Sequence, residues 1–117
     1  MSEELKVRTK DYAIRIIKLY ASLPKTTDAQ VLGKQLLRSG TSVGAQCREA
    51  QYAKSNADMI SKIEGSLQEL EESTYWLELI EEMHFFVPEK LKPIQVETKE
   101  LTAIFVTIVK KVKSRKQ

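Results

Sequence analysis

The stretch LLRSGTSVGAQCREAQ, residues 36–51, decides how this chain is read. It lies inside a long segment of helical patterning, yet it sets Gly40, Thr41, Ser42, Val43 and Gly44 in a row. Each interior glycine costs a helix roughly 1 kcal/mol against alanine. On a helix, Gly33, Leu36, Gly40, Val43, Gly44, Cys47 and Ala50 share one broad face. Such a helix offers its neighbours a shallow surface of small residues, and close packing offsets the propensity cost. The rival reading is a helix that breaks at 40–42. Gly40 and Gly44 also spell G-x-x-x-G, but Arg38 and Arg48 flank the motif and take away its membrane meaning.

The sequence on either side supports the helical reading. The first segment, about 3–22, spaces Leu5, Tyr12, Ile16, Leu19 and Leu23 for one helix face, and Pro24 ends it by disfavouring helix at Leu23. The glycine-bearing helix spans about 28–53, from a cap at Thr27 or Asp28. A third runs over about 56–83, with Ser55 or Asn56 able to cap it. Its Ile60, Ile63, Leu67, Leu70, Thr74 and Leu77 recur in steps of three and four, a heptad seam. HFFVPEKLKP interrupts that rhythm, and Leu91, Ile94, Thr98, Leu101, Phe105, Ile108 and Val112 resume it over about 91–114. Four helices with short connections predict a single all-α domain over 1–117, an antiparallel up-down-up-down four-helix bundle.

The 117 residues include 42% apolar and 30% charged side chains, and no apolar run approaches the ~20 residues a membrane span needs. The acidic start MSEELKVRTK has no apolar signal core, and one cysteine can form no internal disulfide, so a cytoplasmic protein is expected. Charge is uneven along the chain: +5 over 1–62, −8 over 63–89 and +6 over 90–117. Either each helix solvates its outer face, or the opposed fields orient helices and subunits and leave a basic surface for an acidic partner.

Catalytic patterns are sparse. Glu81-x-x-His84 has the spacing used by helical di-iron sites, but such sites need two of these motifs and the chain has one histidine. His84 is better placed as a helix C-terminal residue. Cys47 falls among small core-facing positions, where cysteine acts as a small hydrophobe rather than as a nucleophile paired with His84. No phosphate loop or metal-ligand cluster is present, so neither an enzyme nor a cofactor is expected. Basic residues offer more. Lys110, Lys111, Lys113, Arg115 and Lys116 fall within seven residues, and Lys6, Arg8, Lys10, Arg15 and Lys18 populate the first helix. Phosphate-backbone binding needs such cations and little sequence-specific geometry. The first helix also carries Ala13, Ile14, Ile17 and Tyr20 beyond its main stripe, so it is buried on two sides or meets another chain. With Tyr75 and Trp76 on the third helix, a homo-oligomer is expected.

LLRS-x-TS-x-GA, followed by EA, a Ser/Asn-Asp helix start and E-x-x-YWL-x-L across residues 35–80, resembles the small four-helix-bundle proteins first described from intervening sequences in bacterial 23S ribosomal RNA genes. The likeness extends through YAIRIIKLYASLPK at 12–25 and thins over the fourth helix. It implies a bundle that assembles into a ring-like homopentamer. A related branch, the accessory proteins of diversity-generating retroelements, implies work beside a reverse transcriptase and its RNA through a basic surface. Arg38, Ser39, Ser42, Gly44, Glu49, Tyr75 and Trp76 match the pattern, with Gly40 beside them, and in a bundle such residues can serve packing alone. Two roles follow as expectations: a module binding structured RNA or a nucleoprotein, or a scaffold binding only proteins.

Overall fold

The computed structural model describes residues 2–115, which form four helices, α1 (Glu3–Ala21), α2 (Thr27–Ala50), α3 (Asn56–Glu82) and α4 (Pro88–Arg115). Local chemistry starts each one. Ser2 caps α1, its Oγ accepting from the Leu5 N–H at 3.2 Å, with Glu3 and Glu4 in the first turn where the helix dipole favours acids. Ser55 caps α3 by accepting from the Asp58 N–H at 3.0 Å, and the Asp58 carboxylate reaches back to the Lys54 N–H at 3.1 Å.

Two boundaries differ by three residues from the sequence expectation, the others by at most one, and the cap of α2 also differs. α2 begins after Thr26 rather than at a Thr27 or Asp28 cap; the Thr26 side chain makes no capping bond, and Asp28 Oδ1 accepts from the Ala29 N–H at 2.9 Å. α2 also ends at Ala50, three residues before the expected 53. Gln51, Tyr52 and Ala53 donate to the carbonyls three residues back, a tighter coil that leads into the turn. α4 starts at Pro88 instead of 91, because a proline in the first helical position gives up an N–H that would be unpaired anyway. Pro93, inside the helix, forgoes the bond to the Glu89 carbonyl.

α2 is continuous through 40–42, so the broken-helix alternative is set aside. Consecutive helices pack side by side and α4 closes onto α1, in the expected antiparallel order. The core is built from the expected stripes: Tyr12 and Ile16 on α1, Leu36 and Val43 on α2, Ile63, Leu70 and Leu77 on α3, Leu91, Leu101 and Phe105 on α4. Two helices depart from the expected stripe: on α3, Ser66 and Ser73 are buried while the expected Leu67 and Thr74 are half-buried, and on α4, Val109 is buried where Ile108 was expected.

The glycines of α2 face α1. A Cβ on Gly40 would meet Ile16 Cγ1 at 2.8 Å and Cγ2 at 2.9 Å, and one on Gly44 would lie 3.3 Å from Thr9 Oγ1. The serines of α2 and α3 join those two helices. Ser73 Oγ donates to the Glu69 carbonyl at 2.8 Å, which leaves it to accept from Ser39 Oγ at 2.8 Å, and Ser66 Oγ donates to the Val43 carbonyl at 2.9 Å. Arg38 closes the outside of this seam on Glu69 and Glu72.

Candidate nucleic-acid interface

Helix pairing turns a charge pattern along the chain into one across the bundle. α1 carries five Lys/Arg against three acids and α4 seven against three, net +6 for the pair. α2 carries three against two and α3 one against eight, net −6. One flank of the molecule is therefore basic and the other acidic.

The basic flank is held by polar bridges. Buried Tyr12 and Thr98 meet at 2.7 Å; Thr98 Oγ1 donates to the Ile94 carbonyl at 2.7 Å, so the Tyr12 hydroxyl is the donor between them. Arg8 grips Glu97 with two hydrogen bonds of 2.8 and 2.7 Å and Glu100 with one of 2.7 Å. The hydrogen bonds from Arg8 hold the Glu97 carboxyl below its ordinary pKa against the opposing effect of burial, with a smaller contribution from the Arg15 charge. The same contact raises the Arg8 guanidinium, which stays charged throughout.

Of the cations expected to bind nucleic acid, Arg8 is therefore committed to α4. Lys6 lies 3.6 Å from Glu3, and Lys113 lies 3.2 Å from Glu64 of α3. Lys10, Arg15, Lys18, Lys110, Lys111 and Arg115 have no ion-pair partner among the described residues. Lys116 lies outside the described residues.

Four of these six cations gather at the two ends of the α1–α4 seam, while Lys10 and Lys110 line neither of the grooves there. A groove of about 300 Å³ at the C-terminal end of α1 is lined by Arg15, Lys18 and Lys90 around Leu19, Pro93 and Ile94. A groove of about 530 Å³ at the other end has a floor that includes Leu5, Ile63 and Ile104, with Lys111 and Arg115 beside Arg8 and Glu4. Lys90 was missed in the sequence because it is 75 positions from Arg15 and joins it only when α4 closes antiparallel onto α1. Its nearest signal was its place beside Pro88 at the start of α4, and it also lies 5.9 Å from the Phe86 ring centre.

The residues of the glycine-bearing motif take part in packing. Ser39, Gly40, Gly44 and Arg38 contact neighbouring helices as described above, Ser42 Oγ donates to the Arg38 carbonyl at 2.7 Å, and Glu49 pairs with Lys62 at 3.1 Å. Tyr75 and Trp76 stack edge to face at 5.1 Å, and the buried Trp76 indole N–H finds no acceptor among the described residues. Burial pushes the Cys47 thiol up, away from the thiolate a nucleophile needs. His84 is exposed at positive φ (56°) just past the end of α3, and it is its backbone N–H, not its ring, that closes the helix on the Glu81 carbonyl at 3.1 Å. Among the described residues no three His, Cys, Asp or Glu side chains converge as a metal site, and no helix is long and apolar enough to cross a membrane.

Residues 3–107 match the family described as 23S rRNA-intervening sequence protein. The chain belongs to this family. It is also similar to a solved protein of unknown function from the S23 ribosomal protein family of Bacteroides thetaiotaomicron VPI-5482, at 38% identity with a TM-score of 0.85, over 90% of this chain and 97% of that one. No curated protein matches the chain. Membership of the 23S rRNA-intervening sequence protein family thus rests on nearly the whole bundle, including the α2–α3 motif and most of α4.

Proposed function

We propose that this member of the 23S rRNA-intervening sequence protein family is a non-enzymatic, homopentameric bundle that binds structured RNA, or a nucleoprotein of the reverse-transcriptase type, through its α1–α4 flank. The observation that carries the reading is the charge separation across the bundle, with Arg15, Lys18 and Lys90 at one end of the seam and Lys111 and Arg115 at the other. Phosphates bind such cations with little demand on geometry, and the contacts release counterions. Apolar residues that α1 leaves uncovered support an oligomer, and the family resemblance supports five subunits. A non-enzymatic role agrees with the raised Cys47 thiol and the exposed His84.

The test is a titration of a fluorescent structured RNA at low and near-physiological salt. Charge variants are preferable to truncation after Val109, which would remove buried Val112. Wild-type affinity should fall steeply with salt, and Arg15→Ala/Lys18→Ala/Lys90→Ala should flatten the log–log slope by roughly 2 to 3 if each cation meets a phosphate. No binding at either salt would sink the RNA reading and leave a scaffold for protein partners.

A further inference from the structure

We propose that the groove between Arg15, Lys18 and Lys90 binds a compact oligophosphate, the terminal di- or triphosphate of an RNA strand or of a free nucleotide. The inference deepens the RNA reading above by naming the group that this end of the α1–α4 seam takes. It starts from the register of the two helices. α1 and α4 run antiparallel, and Arg8 of α1 meets Glu97 and Glu100 of α4. Seven residues make about two turns of helix and return a side chain to nearly the same face. Seven residues on from Arg8 is Arg15, and seven residues back from Glu97 and Glu100 are Lys90 and Pro93. A lysine and a proline thus stand where the carboxylates would repeat, and Arg15, Lys90 and Pro93 line one groove of about 300 Å³. The seam is charge-matched at its middle and charge-opposed at this end.

Lys18, one turn from Arg15 on α1, brings a third cation to the same groove, whose floor is Leu19, Pro93 and Ile94 and whose lining holds no carboxylate. Of the acids nearby, Glu97 is engaged by Arg8, and Asp11 and Glu89 form no ion pair with these cations among the described residues. Like charges gathered without a counter-charge oppose the fold, and all three are exposed, so an anion from outside can reach them. A backbone phosphodiester carries a single charge, whereas a terminal oligophosphate carries several in one compact group. Three convergent cations match the second better than the first. The groove at the other end of the seam differs, because Lys111 and Arg115 share its lining with Glu4 and with Arg8, which is already paired.

The test is a fluorescence titration of the full chain with one structured RNA that carries either a 5′-triphosphate or a 5′-hydroxyl. The wild type should bind the triphosphate form about tenfold or more tightly, and Arg15→Ala/Lys18→Ala/Lys90→Ala should bind the two forms alike. Lys111→Ala/Arg115→Ala should weaken both forms by the same factor and keep the preference. Equal binding of the two forms by the wild type, or a preference that survives the triple variant, overturns this inference and leaves the RNA reading standing. The three side chains are exposed, so the triple variant should keep its helicity by circular dichroism; should it lose it, Lys90→Ala alone, with a reduced preference, carries the test. A free nucleoside triphosphate added as competitor separates the two sources: displacement of the RNA at equal concentration assigns the groove to nucleotides, and retention of the RNA assigns it to RNA ends. If neither RNA form binds, thermal unfolding with inorganic triphosphate decides. A melting temperature raised in the wild type and not in the triple variant upholds the groove while the RNA reading falls, and no rise overturns both.

Discussion

The two long seams that flank the core are built on opposite principles. Along α2, glycines and serines replace bulky side chains: Gly40 sits against Ile16 of α1, and Ser39 and Ser66 form hydrogen bonds across to α3. Between α1 and α4 the side chains are larger, the ends of the seam open into grooves of about 300 and 530 Å³, and the middle is held by Tyr12–Thr98 and by Arg8 on Glu97 and Glu100. The first seam gains its stability from close contact and leaves no room for a side chain at Gly40. The second has room to spare and displays the unpaired cations. Close packing and open grooves thus fall on different sides of one small bundle.

The largest effect should come from filling the close contact. Gly40→Leu is expected to cost on the order of 1 to 3 kcal/mol in urea unfolding, whereas Ile108→Phe, beside the larger groove, should change stability by no more than about 0.5 kcal/mol. Equal costs at the two positions would erase the distinction.

Next should come the bridge across the open seam. Arg8→Ala leaves Glu97 without its partner and should cost about 1 to 2 kcal/mol at neutral pH, allowing for solvent that still reaches the pair. Arg8 lowers the Glu97 pKa in the folded state, so its stabilisation is present above the ordinary glutamate value of 4.5 and is lost as pH falls through the lower folded value. The difference between wild type and Arg8→Ala should therefore shrink on acidification below about pH 4. A difference that stays constant to pH 2 would show that packing of the Arg8 stem, not the ion pair, is responsible.

A smaller loss, about 1 kcal/mol, is expected for Ser73→Ala, which leaves the Ser39 hydroxyl only the Leu36 carbonyl at 3.3 Å. Thermal unfolding measures it. The smallest effect has the opposite sign. Gly65 lies on the α2–α3 seam, but a Cβ there meets only the flexible end of Gln46, which can move aside. Gly65→Ala should raise stability by roughly 0.5 kcal/mol through helix propensity, and a loss would show that Gln46 is fixed.

Most of the architecture was legible in the sequence. The apolar spacing of Tyr12, Ile16 and Leu19 and the small-residue face of α2 are set by residues within a few turns of one another and appear as expected, and of the two caps open to α3 the structure uses Ser55. The helix ends at 50 and 88 were less legible, because a gradual tightening of α2 and a proline at the first position of α4 leave no break in apolar rhythm. The candidate site was legible only as a list of cations.

The sequence by itself determined four amphipathic helices, the sides they bury and the family they belong to, since those depend on periodicity and local chemistry. Tertiary structure alone decided which charges remain available. It took Arg8 out of the free set through carboxylates 89 and 92 positions away, paired Lys113 with Glu64, brought Lys90 beside Arg15 and left Ile14 and Ile17 uncovered. The physical reason is that burial and ion pairing follow distance in space, and here the deciding partners lie at opposite ends of the chain.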